Sequence, residues 1–258
     1  MTERSRASVA VVGATGSVEA ASDEPRPDTP AERRLALDAI AAEVRECTRC
    51  PLAAGRTRAV PGEGDPDTEV VLVGEGPGFN EDRLGRPFVG RAGELLVRLL
   101  STLGWRREEV FITNVVKCRP PDNRDPEPSE IEACLPYLRR QLEVLDPALV
   151  VTLGRHSMGR FMPGARISAV HGTMAPVDPR TGAGNALAYA LYHPAAALRS
   201  AEVERQSYVD VAGIPAALLE ARRRRADHIT PDRATEDTAA VGAAPGGEPE
   251  APDSPTLF

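Results

Sequence analysis

The chain reads as an α/β protein built on a four-stranded parallel sheet with helices on both faces. Four short runs of nearly continuous apolar character carry that reading: Glu69–Gly74, Val110–Val115, Ala148–Leu153 and Ala186–Tyr192. Segments with helical spacing separate them, at Ala92–Leu103, Ser129–Leu145 and, more briefly, near His156–Phe161. Strands that alternate with helices favour parallel pairing, because each crossover helix must lie back on a face of the sheet.

The remaining elements obey the same logic. Ala31–Glu46 repeats apolar residues at Leu35, Leu37, Ile40 and Val44, with Pro30 ahead as a start signal. A last helix is predicted over about Ala201–Arg225, and Pro136 and Pro215 should kink or break the helices that contain them. Residues 1–30 and 227–258 are rich in Pro, Ala, Ser, Thr and acids without periodicity, so both are expected to be disordered tails around one domain at 31–226. The net charge of −7 misleads about that domain. Residues 45–226 carry 23 acids and 25 bases, so an acidic whole chain does not exclude a polyanionic partner. Lys117 is the only lysine.

No apolar stretch reaches the length of a spanning helix and no signal peptide is evident at the N-terminus, so a cytoplasmic location is expected. The segment Ser8–Ala20 imitates a dinucleotide-binding strand and turn. It lacks the full glycine fingerprint and is succeeded by DEPRPDTP instead of a helix.

The residues just past each strand are more telling than the strands themselves. The first strand leads into GEGPG at Gly74–Gly78, the second ends at Asn114, the third at Leu153-Gly154, and the fourth at Tyr192-His193-Pro194. Ligands of open α/β sheets bind beyond the carboxyl ends of the strands. Glu75, Asn114 and His193 are therefore expected on one rim.

The four cysteines are Cys47 and Cys50 in CxxC spacing, Cys118 after the second strand, and Cys134 on a helix. Such a set suits a tetrathiolate site, and spacing alone leaves zinc and a four-iron cluster both open.

The stretches CTRCPL, VGEGPGFNEDRLGRPFVGRAGELL, FITNVVKCRPPDNRDPEPSEIEAC and YHPAAALR, in this order from Cys47 onward, resemble the iron–sulfur uracil-DNA glycosylases, often called family 4. The resemblance implies a three-layer α/β/α fold, removal of uracil from DNA, and a 4Fe-4S cluster on Cys47, Cys50, Cys118 and Cys134. An enzyme acting on a base in a duplex must rotate it out of the stack and hold it in a pocket. Glycines after the first strand, Gly76 among them, would let backbone approach the extruded nucleotide. By resemblance Phe88 supplies the stacking face, Glu81 closes off the space a thymine methyl would need, His193 donates to O2 of the leaving base, and Glu75 orients water or offsets charge on the sugar. Asn114 is the candidate reader of the pyrimidine edge, since an amide can donate to O4 and accept from N3–H.

Contacts to DNA are expected from Leu198 as a wedge, Arg199 on a phosphate, and the backbone N–H groups around Arg91 at a helix start. Related enzymes carry the wedge earlier, where this chain has alanine. Arg124 and the run Arg222–Arg225 could also touch the backbone or serve as ordinary solvated charges. The C-terminal SPTLF resembles peptides that hook repair proteins onto the sliding clamp, without the expected glutamine. A related subgroup binds uracil DNA covalently through a histidine in a basic inserted loop; PPDNRDPEP at 120–128 lacks both features, which favours turnover, and a monomer is expected.

Overall fold

A computed structural model describes residues 27–229, with side chains to 227. Both tails beyond this range, with the Ser8–Ala20 imitation and the SPTLF terminus, lie outside the described residues. Six strands form one sheet: β1 Glu63–Gly64, β2 Val70–Gly74, β3 Phe111–Asn114, β4 Leu149–Leu153, β5 Met174–Pro176 and β6 Leu187–Leu191. Their order is β1-β3-β2-β4-β6-β5. The inner four are parallel, as expected from sequence, while β1 and β5 add antiparallel edges. Two or three residues carry too little pattern for either edge to be read from sequence.

Ten helices accompany the sheet among the described residues: α1 Pro30–Glu46, α2 Leu52–Gly55, α3 Phe79–Leu84, α4 Arg91–Thr102, α5 Pro128–Leu145, α6 Arg155–Phe161, α7 Ile167–Val170, α8 Pro194–Ala197, α9 Ala201–Val211 and α10 Ile214–Ile229. Alternation along the strands divides the core. Val70, Leu72, Ile112, Leu149, Val151 and Leu187 pack with α4 and α10 on one face. Val71, Val73, Phe111, Val150 and Ala188 pack with α5 and α6 on the other. This is the period of two that a pleated strand imposes, and it yields three layers.

Helix α1 starts one residue before its predicted position because Thr29 and Glu32 form a reciprocal capping box with Pro30 at the first position. The predicted helix at Ala201–Arg225 divides at 212–213, just ahead of Pro215, which then sits in the first turn of α10 where it costs nothing. Pro136 does not break α5, which runs on as one helix. The carbonyl it deprives of a partner belongs to Glu132, an exposed residue where water can substitute. No helix among the described residues is long and apolar enough to cross a membrane.

Strands β3 and β4 lie on opposite sides of β2. The chain therefore reverses its direction of travel across the sheet at β2, and the crevice beyond its carboxyl end is where such folds bind ligands.

Candidate active site

That crevice is a cleft of about 570 Å³. Glu75, Gly76, Glu81, Phe88, Asn114, His193 and Arg199 line it, whereas Arg91 and Leu198 do not.

Asn114 ends β3 and is 1% exposed, yet its Oδ1 has no hydrogen-bond partner among the described residues. An unsatisfied buried acceptor costs about 1–3 kcal/mol. Across the sheet Asn114 is paired with Gly74. A Cβ on Gly74 would stand 2.4 Å from Asn114 Oδ1 and 2.7 Å from Phe88 Cζ. The orphan acceptor and the aromatic ring thus border one small space that glycine leaves free.

Phe88 is buried and has φ of +50°, in the left-handed region. A residue of this kind held there costs on the order of 1–3 kcal/mol, so its surroundings must impose it. Arg107 does so from one side: its guanidinium donates to the carbonyls of Phe88 at 3.0 Å and Pro87 at 2.8 Å while pairing with Glu63 at 2.7 Å. Gly93 of α4 does so from the other, since a Cβ there would come within 1.9 Å of the Phe88 carbonyl oxygen. Sequence reasoning missed Arg107, which precedes β3 and does not itself line the cleft.

His193 caps α8, and its Nδ1 accepts from the Ala195 N–H at 3.1 Å. The neutral ring therefore carries its proton on Nε2. Burial pushes the imidazole pKa down to about 4; the Arg199 cation adds to this and Glu81 opposes it. Its ring centroid is 5.8 Å from that of Phe88. Gly154, at the end of β4 with φ of +90°, makes room, because a Cβ there would lie 2.9 Å from His193 Cβ.

Glu81 accepts at one oxygen from the N–H groups of Val89 and Gly90, both at 2.9 Å. Gly90 is the N-cap of α4, so the N–H read from sequence as open to a phosphate is already used by this carboxylate, and exposed Arg91 lies outside the cleft. Leu198 is half-buried and packs against the core instead of projecting as a wedge, leaving Ala195 and Ala196 at the cleft wall. Arg124 grips Glu130 with both terminal nitrogens, at 2.8 and 2.6 Å, which fixes the loop on α5. Of the run at 222–225, Arg222 pairs with Glu69, Arg224 with Glu220 and Arg225 with Asp146.

Glu75 is half-buried, and desolvation raises its pKa against the pull of His156. The His156 Nε2 is 3.8 Å from Glu75 Oε2 and 3.3 Å from Asp125 Oδ1. Neither His156 nor Asp125 was identified from sequence. His156 lies three residues past the end of β4, so the strand-end rule that selected Asn114 and His193 would have found it. Tyr192, seen only as a strand end, also lines the cleft, its ring 4.5 Å from His171, which Asp210 holds at 2.9 Å.

The four cysteines come together in a separate lobe with Ile40, Val44, Leu52, Val116 and Tyr137. Donors already face the sulfurs: Arg56 Nη1 to Cys118 Sγ at 3.2 Å, the Lys117 N–H to Cys134 Sγ at 3.3 Å, and the Arg49 N–H to Cys47 Sγ at 3.5 Å. Burial pushes the Cys134 thiol up to about 11 and the Cys118 thiol upward as well. Lys117 joins this lobe to the cleft. Its fully buried ammonium donates to Thr113 Oγ1 at 2.6 Å, to the Asn114 carbonyl at 2.9 Å and to Gln141 Oε1 at 2.6 Å.

Residues 61–212 match the family model of the uracil DNA glycosylase superfamily. The type-4 uracil-DNA glycosylase of Saccharolobus solfataricus is 46% identical over 188 residues, spanning 70% of this chain and 86% of that protein. The type-4 enzyme of Thermotoga maritima is 44% identical over 177 residues, 69% of this chain and 91% of its own length. That of Archaeoglobus fulgidus is 47% identical over 167 residues, 63% and 83% respectively. With an open α/β sheet, a cleft at its switch point and relatives aligned across most of their length, the chain belongs to the uracil-DNA glycosylase superfamily, among its type-4 members.

Proposed function

We propose that the chain hydrolyses the N-glycosidic bond of uracil rotated out of DNA, the opening step of base excision repair. The observation that carries this reading is the orphan Oδ1 of Asn114, buried beside an aromatic ring that the backbone is strained to present. Uracil offers N3–H as a donor and O4 as an acceptor, the complement of a carboxamide. Cytosine reverses both, so it would leave mismatched polar groups buried at about 1–3 kcal/mol each. Phe88 stacks the base, and Glu81, fixed by two backbone donors, walls the side where a thymine methyl would enter.

Bond cleavage builds positive charge on the sugar and negative charge on the departing base. His193 donates its Nε2 proton in a hydrogen bond to O2 of that base while remaining neutral. Glu75, as carboxylate, orients water or stabilises the sugar, and Arg199 at the cleft mouth takes a phosphate.

The cysteine lobe fits a metal–thiolate group: four sulfurs with three N–H donors aimed at them, one of which belongs to the Arg56 guanidinium. A 4Fe-4S cluster on Cys47, Cys50, Cys118 and Cys134 is the occupant that the family resemblance implies, with zinc as the alternative. It would act as a structural staple between the segment after α1, the end of β3 and α5. The domain at 31–226 acts in the cytoplasm on the nucleoid, and Thr256–Phe258 serves as a sliding-clamp hook.

The test is release of base from a uracil-containing oligonucleotide, read as alkali-induced strand scission. Wild-type protein should release the base, and Asn114→Asp should release it at least 100-fold more slowly, since a carboxylate replaces the O4 donor with a repelling charge and costs about 3 kcal/mol or more. Equal rates for the two would remove Asn114 from the site.

A further inference from the structure

Phe79 opens α3 directly after Pro77 and Gly78, both of which line the cleft, yet its own ring faces outward and is 54% exposed. Two guanidinium groups lie over that ring: Arg119 at 5.3 Å and Arg83 at 5.8 Å from the centroid. Nearby, Arg86 and Arg107 are committed to Glu63 and Arg124 to Glu130. Arg83 and Arg119 have no carboxylate partner among the described residues. Arg119 instead donates through Nε to Asn123 Oδ1 at 2.8 Å, and Asn123 is part of the cleft wall. The patch is therefore continuous with the cleft, combines a flat apolar face with two unneutralised cations, and faces solvent.

We propose that Phe79, with Arg83 and Arg119, is a stacking platform for the unpaired base next to the extruded uracil on the same strand of DNA. The inference rests on the cleft receiving uracil from DNA. A ring accepts any base on its π-face, and the guanidinium groups that a stacked base displaces from over it meet the flanking phosphates, which is how single strands are held without sequence preference. In a duplex the neighbouring base stays stacked and paired, so the platform acts on single-stranded or locally opened substrate. Its consequence is a preference for such substrates that resides in binding, separate from the groups that break the bond.

The experiment uses the full-length protein and single-stranded oligonucleotides with one 2′-fluoro-2′-deoxyuridine, whose electron-withdrawing fluorine blocks cleavage. One oligonucleotide has ordinary bases on both sides and the other has abasic sites there. Wild-type affinity is expected to fall on the order of tenfold when the flanking bases are removed, the value of about one aromatic–base stack. Phe79→Ala should bind the ordinary oligonucleotide about tenfold more weakly and be nearly indifferent to the abasic change, while Phe79→Trp should retain the discrimination and show fluorescence quenching on binding. The release rate from cleavable uracil at saturation should be the same for wild type and Phe79→Ala. Undiminished discrimination by Phe79→Ala would overturn the platform even with the enzyme active. Failure of wild-type protein to release uracil at all would instead overturn the reading on which the platform rests.

Discussion

Replacing His193 with alanine is expected to slow uracil release by about 10²–10³-fold at saturating substrate, the loss that accompanies removal of one preorganised donor to a developing anion. The departing base leaves with negative charge, part of it on O2, and the Nε2 proton is fixed in place because Nδ1 is occupied by the Ala195 N–H. A donor of this kind needs no protonation step. With the imidazole pKa pushed down to about 4 from the ordinary 6.5, the ring is neutral throughout the physiological range. Single-turnover rates measured against pH should therefore show no histidine limb near 6.5. The acid limb should belong to Glu75, whose raised pKa means that activity falls as pH drops through a value above the ordinary 4.5, and it should vanish in Glu75→Gln. The same depression of His193 carries a sign for stability. The unfolded chain takes up its proton near 6.5 and the folded chain only near 4, so the contribution is complete above 6.5 and is lost as pH falls through 4. Release by His193→Ala at the wild-type rate would end this assignment.

The second large effect concerns Lys117. Changing it to methionine keeps the volume and removes the charge, leaving Gln141 Oε1, Thr113 Oγ1 and the Asn114 carbonyl short of a donor inside the protein. Gln141 Nε2 and Thr113 Oγ1 also hold the Pro61 carbonyl, at 2.7 and 2.9 Å, so the damage spreads to the approach to β1. A loss of about 3–5 kcal/mol is expected, appearing as a fall in Tm of about 10 °C for a domain of this size. Because Asn114 is anchored through its carbonyl, the surviving folded protein should also discriminate uracil from cytosine less sharply. An unchanged Tm would show that the network contributes little.

Lys117 also marks the limit of what the sequence revealed. Lys117 was noted only as the one lysine beside thirty arginines, because nothing in its neighbours announces three buried acceptors meeting at one point. The strands, their ends and the cysteine set were legible because they rest on local pattern: apolar runs, the residue that terminates each, and the CxxC spacing. Asn114 and His193 were found by that rule, and His156 would have been. Arg107 was not, since its bonds to Pro87 and Phe88 join segments about twenty residues apart through backbone carbonyls, which leave no mark on composition. The placement of Leu198 could not be read for a related reason. Its exposure depends on how α8 lies against the sheet, which the order of residues does not disclose. Gly90 likewise looked open until Glu81, nine residues earlier, proved to be its acceptor.

The left-handed backbone at Phe88 has a consequence for encounter with DNA. Because Arg107 and Gly93 impose that conformation from within the fold itself, the ring is held on its perch before any nucleotide arrives, and the strain is settled once, when the chain folds. A base entering the cleft meets a rigid shelf. The free energy released by stacking can go almost entirely toward keeping the nucleotide out of the helix, with little diverted to arranging the receptor.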